Sequence, residues 1–171
     1  MPSNALTLSV NATGYNNSSW TSPANALVSN NAYATKAPGV TSNQYFAYDT
    51  NAASVLPVDA VIVGVVITVE YKVSATALGP KVETAGPAAG SGIPLSNSEP
   101  PIIGTTADVV YTVGSPTNPL GATSRDSLTT MALRLNQATS GSVTHYIDNA
   151  TMTVYWDYPS TGNVLFFGEP F

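Results

Sequence analysis

Hydrophobic and polar positions alternate with a period of two along two long segments of the chain. In segment 60–73 the odd-numbered residues from Val61 to Val73 share one apolar face, and β-branched residues dominate. This pattern predicts a long β-strand. A second strand is predicted over 145–158, with one face formed by Met152, Val154, Trp156 and Tyr158. The polar residues between them are typical of an antiparallel sheet with one covered face.

Several shorter segments carry weaker versions of the same pattern. They predict strands over 6–10, 44–48, 80–84, 106–113 and 129–136. No segment has the apolar stripe of a helix, and one short helical turn is predicted after Ser22 and Pro23, with Ser22 as its cap. The chain is therefore expected to be all-β, an antiparallel β-sandwich of jelly-roll type, with an immunoglobulin-like sandwich as the alternative.

Two stretches interrupt the strand pattern and suggest the domain organisation. Residues 74–104 are rich in Gly and Pro and predict a long loop, which in a compact domain is usually functional or disordered. Residues 161–171 hold three of the four Phe residues. We therefore expect one sandwich domain over 1–160, including the loop 74–104, and a Phe-rich carboxyl-terminal arm over 161–171. The arm either closes the core of its own domain or is buried in a neighbouring subunit, because exposed Phe residues favour aggregation.

Composition excludes several classes of protein. The 171 residues include no Cys, so disulfides and thiolate sites are excluded. Only 9% of residues are charged, against about 25% in ordinary domains. With five Lys and Arg residues and a net charge of −5, a nucleic-acid-binding surface is not expected. The apolar run 60–69 is too short to cross a bilayer as a helix, so no membrane partner is expected.

Chemistry-bearing residues do not form a recognisable catalytic motif. His145 and Asp148 lie three positions apart in a predicted strand, so they should point to opposite faces, and His145 is interpreted as a surface residue. No Gly-x-Ser-x-Gly motif is present, and the glycines at 86, 90 and 92 lack the Lys of a phosphate loop. A pair of glycosidase carboxylates stays an open alternative. The sequence thus predicts no catalytic, cofactor or metal site, and not an enzyme.

Candidate interface residues are large apolar side chains. Trp20 is interpreted either as a core residue or as an interface anchor, since Trp is enriched at such anchors. The other candidates belong to the carboxyl-terminal arm and are Leu165, Phe166, Phe167 and Phe171.

A family resemblance adds to this interpretation. The motifs, in order, are WTSPANA at 20–26, YAT at 33–35, LPVDAVIVGVVITVE at 56–70, GSPTNPLG at 114–121 and YIDNATMTVYW at 146–156. This order resembles small jelly-roll structural proteins of tailed bacteriophages and prophages, although relatives commonly carry Trp where this chain has Pro119. The resemblance implies a virion protein.

The resemblance leaves the position in the virion open. The first expectation is a capsid cement, or decoration, protein on the capsid surface, a homotrimer whose partner is the major capsid protein. The alternative is a tail, baseplate or fibre-tip module that binds a host receptor glycan, and a virion enzyme is the third expectation.

Overall fold

The chain forms an all-β structure with few helical residues, as its sequence predicts. The computed structural model describes residues 4–9, 20–38, 45–47, 52–78, 80–84, 103–122, 124–128, 131–135 and 143–159. The strands are β1 (Asn4–Ser9), β2 (Ala34–Lys36), β3 (Tyr45–Ala47), β4 (Val61–Val73), β5 (Ala77–Leu78), β6 (Pro80–Thr84), β7 (Ile103–Gly104), β8 (Val109–Ser115), β9 (Met131–Leu135) and β10 (His145–Asp157). Two short helices are α1 (Ala52–Val55) and α2 (Arg125–Leu128), and Pro23–Ala26 form a 3₁₀ turn.

The long strands β4 and β10 pair antiparallel at the centre of a five-stranded sheet. The sheet has the order β1-β10-β4-β8. Strand β2 also pairs with β10, on the edge that β1 uses, because β1 covers residues 151–156 and β2 covers residues 145–147. A three-stranded sheet has the order β3-β9-β6, and β5 pairs with β7. All these pairings are antiparallel.

One face of β4 and β10 forms the core. The buried residues alternate along β4 from Val65 to Val73 and along β10 from Ala150 to Val154, as the sequence pattern predicts. The prediction is wrong at the start of β4, where Ile62 is buried and Val61 is exposed. Between these regions the pairing with β10 shifts by one residue, and such a bulge transfers the following side chains to the other face.

The turn after β8 folds back over this bulge. A Cβ on Gly64 would lie 2.1 Å from the carbonyl atoms of Pro116, so only Gly allows the close approach. The backbone N–H of Val65 donates to the carbonyl of Asn118 at 2.9 Å. Leu120 follows with a φ of 49° and is buried in the core. The GSPTNPLG motif therefore forms a turn that packs the Leu120 side chain into the core.

The helical turn after Ser22 is confirmed, but its predicted cap is wrong. Ser22 lies in the left-handed region, with a φ of 51°, and its side chain makes no capping hydrogen bond. Its carbonyl instead accepts the backbone N–H of Asn25 at 3.0 Å. The turn packs Ala26 into the core.

The predicted loop 74–104 is partly described. The strand that the sequence predicts near 80–84 is confirmed as β6. Strands β5 and β7 also belong to this stretch. Residues 85–102 and the arm 161–171 lie outside the described residues.

Candidate interaction surfaces

Four exposed apolar residues belong to the segment that leads into β4 and to the residue that follows β10. We call this group the apolar end, formed by Val55, Val58, Val61 and Tyr158. All four are exposed, and Val58 has 78% of its surface accessible. Leu56 anchors the segment in the core, and the N–H of Ala60 closes the following turn onto the Pro57 carbonyl at 3.2 Å. Tyr158 follows Asp157, the register partner of Val61, immediately after the end of β10.

The edge strand β8 presents a second surface. It pairs with β4, and among the described strands it has no neighbour on its other side. Its sequence, VVYTVGS, contains no charged residue and no Pro. The Val110 side chain is 63% exposed, and Thr112 is exposed on the same face. The opposite edge of the sheet, along β10, is covered by β1 and β2.

A polar and aromatic group lies at the other end of the β4–β10 pair. We call it the tyrosine–lysine cluster, formed by Tyr33, Lys72, Asp108 and Tyr146. Lys72 Nζ lies 3.0 Å from a carboxylate oxygen of Asp108 and 3.9 Å from the ring centroid of Tyr33. The Tyr33 hydroxyl donates to Asp108 at 2.8 Å, and the rings of Tyr33 and Tyr146 meet edge to face at 5.7 Å.

The cluster holds its lysine charged. The hydrogen bond with Tyr33 raises the pKa of Lys72, and the contact with Asp108 raises it further. Its residues come from four distant segments, and Lys72 and Tyr146 meet because they are register partners. No local motif in the sequence could have identified this group, because the register of β4 against β10 is not visible in either strand alone.

A buried polar group lies on the inner face at the same end of the sheet. The Tyr71 hydroxyl and His145 Nδ1 are 2.6 Å apart, a hydrogen bond in which either group can donate. Lys36 is the register partner of His145 on β2 and is only 6% exposed. The Nε2 atom of His145 has no hydrogen-bond partner within the described part of the chain.

Burial governs the charges in this group. Burial and, to a smaller extent, the nearby charge of Lys36 together lower the pKa of His145 to about 4. Burial also lowers the pKa of Lys36 and raises that of Tyr71. His145 is therefore neutral at neutral pH. The interpretation of His145 as a surface residue is wrong: it is 0% exposed, because β2 and β4 pair with β10 on both sides of it.

Asp148 has a structural role. The backbone N–H groups of Asn30 and Asn31 donate to its carboxylate at 3.2 and 3.0 Å, which fixes the loop before β2. The register of β10 shifts between Ile147 and Asn149, so Asp148 is buried although it follows a buried residue. His145 and Asp148 thus bind different partners and do not form a catalytic pair in this structure.

One of the five candidate interface residues, Trp20, lies within the described part of the chain. Trp20 packs into the core and is only 6% exposed, so it offers little surface to a partner in this conformation. The remaining candidates, Leu165, Phe166, Phe167 and Phe171, lie outside the described residues.

Among the residues that the structure describes, no three His, Asp or Glu side chains come together as a metal ion would require. None of the described helices is long and apolar enough to cross a membrane. Comparison with known proteins returns no family model, no curated protein and no solved structure that matches this chain.

Proposed function

We propose that this chain is a non-enzymatic structural protein of a bacteriophage virion, namely a capsid cement or decoration protein. It binds the capsid surface, bridges subunits of the major capsid protein and acts as a homotrimer. The order of motifs from Trp20 to Trp156 supports the virion assignment through its resemblance to phage structural proteins. The apolar end supports the cement role, and it is the observation that carries the proposal.

The apolar end suits burial against another protein. Fully burying an exposed Val side chain stabilises a complex by roughly 1.5–3 kcal/mol. Val55, Val58, Val61 and Tyr158 are each partly exposed, so their joint burial contributes on the order of 4 kcal/mol of favourable transfer free energy. Asp59, beside Val58, is exposed. The coat surface that fits this end is therefore apolar, with a cation positioned for Asp59.

A jelly-roll sandwich is the arrangement we propose for the domain 1–160. The inner faces of β4 and β10 are fully buried along most of their length, and such a face needs a second layer over it. We propose that the three-stranded sheet β3-β9-β6, which is separate from the five-stranded sheet, forms that layer. We propose that the arm 161–171 reaches a neighbouring subunit.

Capsid binding tests the proposal directly. Particles of the encoding phage, stripped of this chain, are incubated with the full-length protein and sedimented. The wild-type chain should bind, and Val58→Lys should weaken binding at least tenfold. Val28→Lys is the matched control, since Val28 is also exposed but lies outside the apolar end. Density for the chain at the tail tip, with none on the shell, would overturn the cement assignment.

A receptor-binding role is the second candidate, and the tyrosine–lysine cluster favours it. Tyr146 offers an aromatic surface beside the carboxylate of Asp108 and the ammonium of Lys72, which are groups that bind sugar rings and hydroxyls. Lys72 already covers the Tyr33 ring, which leaves less surface for stacking. A glycan array tests this role, with Tyr146→Ala expected to abolish any binding and Tyr155→Ala as control.

A further inference from the structure

Strand β2 is a short strand attached to one end of the central sheet. It pairs with β10 only at residues 145–147, whereas β4 pairs with β10 from residue 145 to residue 157. On the other edge of β2 the described residues form one bridge, in which Thr35 and Thr21 exchange hydrogen bonds at 3.0 and 2.8 Å. The two residues that follow β2 are exposed. An element attached in this way opens at a lower free energy than the centre of a sheet.

Two ionisable side chains face each other across this attachment. Lys36 and His145 are register partners, and they are 6% and 0% exposed. Neither forms an ion pair with a carboxylate of the described residues. The Tyr71 hydroxyl bonds to Nδ1 of His145, and Nε2 has no partner in that part of the chain. The closed arrangement therefore requires a neutral imidazole, because like charges directly opposite in a sheet are destabilising and burial increases their cost.

The other titratable groups around His145 do not compensate for its protonation. On the inner face, Tyr71 of β4 and Tyr111 of β8 lie 6.3 Å apart between ring centroids, and phenols supply no negative charge in acid. Asp148, three residues further along β10, accepts backbone N–H groups from the loop before β2. On the outer face, Lys72 is paired with Asp108. Among the described residues, protonation of His145 thus places a second buried cation opposite Lys36 with no carboxylate between them.

We propose that β2 is a strap that opens in mild acid, so that Ala34 and Lys36 leave β10 while β4 and β10 stay paired. Protonation of His145 drives the opening, because separation of the strands hydrates both cations and increases the distance between them. The opened strap exposes the backbone N–H and C=O groups of residues 145–147 on that edge of β10. This event is a local opening rather than global unfolding, and it does not depend on the proposed function.

The protonation equilibrium of His145 limits the size of the response. In the closed strap, burial and a smaller effect of Lys36 lower the pKa of His145 to about 4, and complete hydration in the opened strap would return it to 6.5. The opened state then binds a proton that the closed state does not bind, so the opened fraction increases as the pH falls from 6.5 towards 4. Between pH 7.5 and pH 5 this linkage increases the opened fraction by at most about 30-fold.

Thiol labelling of the full-length chain, which has no Cys of its own, tests the proposal. Ala34→Cys places a thiol on the inner side of β2, where the parent residue is 0% exposed. The probe is 4,4′-dithiodipyridine, a disulfide that reacts with thiols in mild acid. The labelling rate at each pH is divided by the rate of the same variant unfolded in urea, which removes the pH dependence of the thiol itself. We expect this ratio to increase at least about fivefold from pH 7.5 to pH 5.

A matched variant separates local opening from global unfolding. Ala122→Cys carries the same substitution at another residue that is 0% exposed, in the turn after β8. Its labelling ratio should stay constant over the same pH range. Parallel increases at positions 34 and 122 would show that acid unfolds the whole domain, which would overturn the proposal. A constant ratio at position 34 would also overturn it.

Two further variants, each combined with Ala34→Cys, test whether His145 and Lys36 drive the opening. His145→Gln removes the titrating group, so the labelling ratio should lose its increase in acid. If the increase persists in this variant, carboxylates such as Asp148 drive the opening and the proposal is overturned. Lys36→Met keeps the imidazole and removes the opposing charge, so labelling at pH 5 should be slower than in the parent. Equal or faster labelling in Lys36→Met would contradict the role assigned to the pair.

Discussion

The Tyr71 hydroxyl lies 2.6 Å from His145 Nδ1, and both side chains are fully buried at one end of the five-stranded sheet. The two rings also stack, with centroids 6.0 Å apart. His145 is the only histidine of the chain, so its protonation can be followed without interference from other imidazoles. This pair therefore makes folding stability sensitive to pH in a way that can be measured.

We expect acid to destabilise the fold through His145. Burial, with a smaller effect of the Lys36 charge, lowers its pKa to about 4, below the 6.5 of an unfolded chain. Between these values the unfolded chain binds a proton that the folded chain does not, so stability decreases as the pH falls from 6.5 towards 4. The full difference corresponds to on the order of 3 kcal/mol. Urea unfolding at neutral and mildly acidic pH measures it.

The control for this prediction is His145→Gln. The variant loses stability at neutral pH because its packing changes. Between pH 4 and 6.5 its unfolding free energy should depend less on pH than that of the wild type, because one fewer proton binds on unfolding. Carboxylates titrate at the acid end of the window in both proteins, so the comparison removes their contribution. An identical pH slope in the variant and the wild type would contradict the role of His145.

Removal of the Tyr71 hydroxyl should destabilise the core. Tyr71→Phe keeps the ring but leaves Nδ1 of His145 without its partner, and an unsatisfied buried polar atom costs about 1–3 kcal/mol. Tyr111→Phe is the matched control, because its hydroxyl donates to the Ile103 carbonyl on the surface, where water can replace the lost bond. Thermal unfolding should show the larger loss in Tyr71→Phe. Equal losses of stability would show that the buried hydrogen bond contributes no more than the exposed one.

Asp148 should control the order of the loop before β2. Asp148→Ala removes the carboxylate that accepts the N–H groups of Asn30 and Asn31, and charge-assisted bonds of this kind contribute about 1.5–3 kcal/mol. Hydrogen exchange at those two amides should accelerate at least tenfold. Asp59→Ala, at an exposed position, should leave their exchange unchanged. Unchanged exchange in Asp148→Ala would mean that other contacts hold the loop.

The sequence pattern correctly predicts which face of a strand is buried where the strand pairing is regular, and it fails where a bulge interrupts the pairing. From Val65 to Val73 the alternation alone identifies the buried side chains. At Val61 it fails, because the bulge depends on the turn that packs Pro116 against Gly64, and this contact joins residues about fifty positions apart. The alternation pattern therefore indicates the all-β class, while the bulges depend on tertiary contacts.

The candidate surfaces also depend on tertiary contacts that the sequence pattern does not reveal. The sequence pattern does not identify Val55 and Val58 as exposed, although Leu56 between them is buried. The interpretation of His145 as exposed fails because its two pairing partners, Lys36 and Val73, lie far away in the chain. The tyrosine–lysine cluster also depends on strand register. Residue types alone could not place these groups.

Gly64→Ala should disrupt the turn that follows β8. The added Cβ would lie 2.1 Å from main-chain atoms of Pro116, which cannot move without displacing the turn and Leu120. Overpacking of this kind typically costs about 1–3 kcal/mol. Val63→Ala, one residue earlier and half-buried, should cost less. If chemical denaturation gives equal losses for both variants, the close approach is not a constraint on stability.

Lys36→Met should raise the pKa of His145 without loss of stability at neutral pH. Lys36 is buried beside His145, and its charge both costs desolvation free energy and opposes protonation of the imidazole. Met fills a similar volume without a charge, and replacing buried charges by apolar groups is often neutral or stabilising by about 1 kcal/mol or more. An NMR titration of the single imidazole measures the pKa directly. Lys72→Met is the control, because Lys72 lies in the surface cluster and should leave the His145 titration unchanged. A His145 titration that does not move in Lys36→Met would show that burial alone keeps the imidazole neutral.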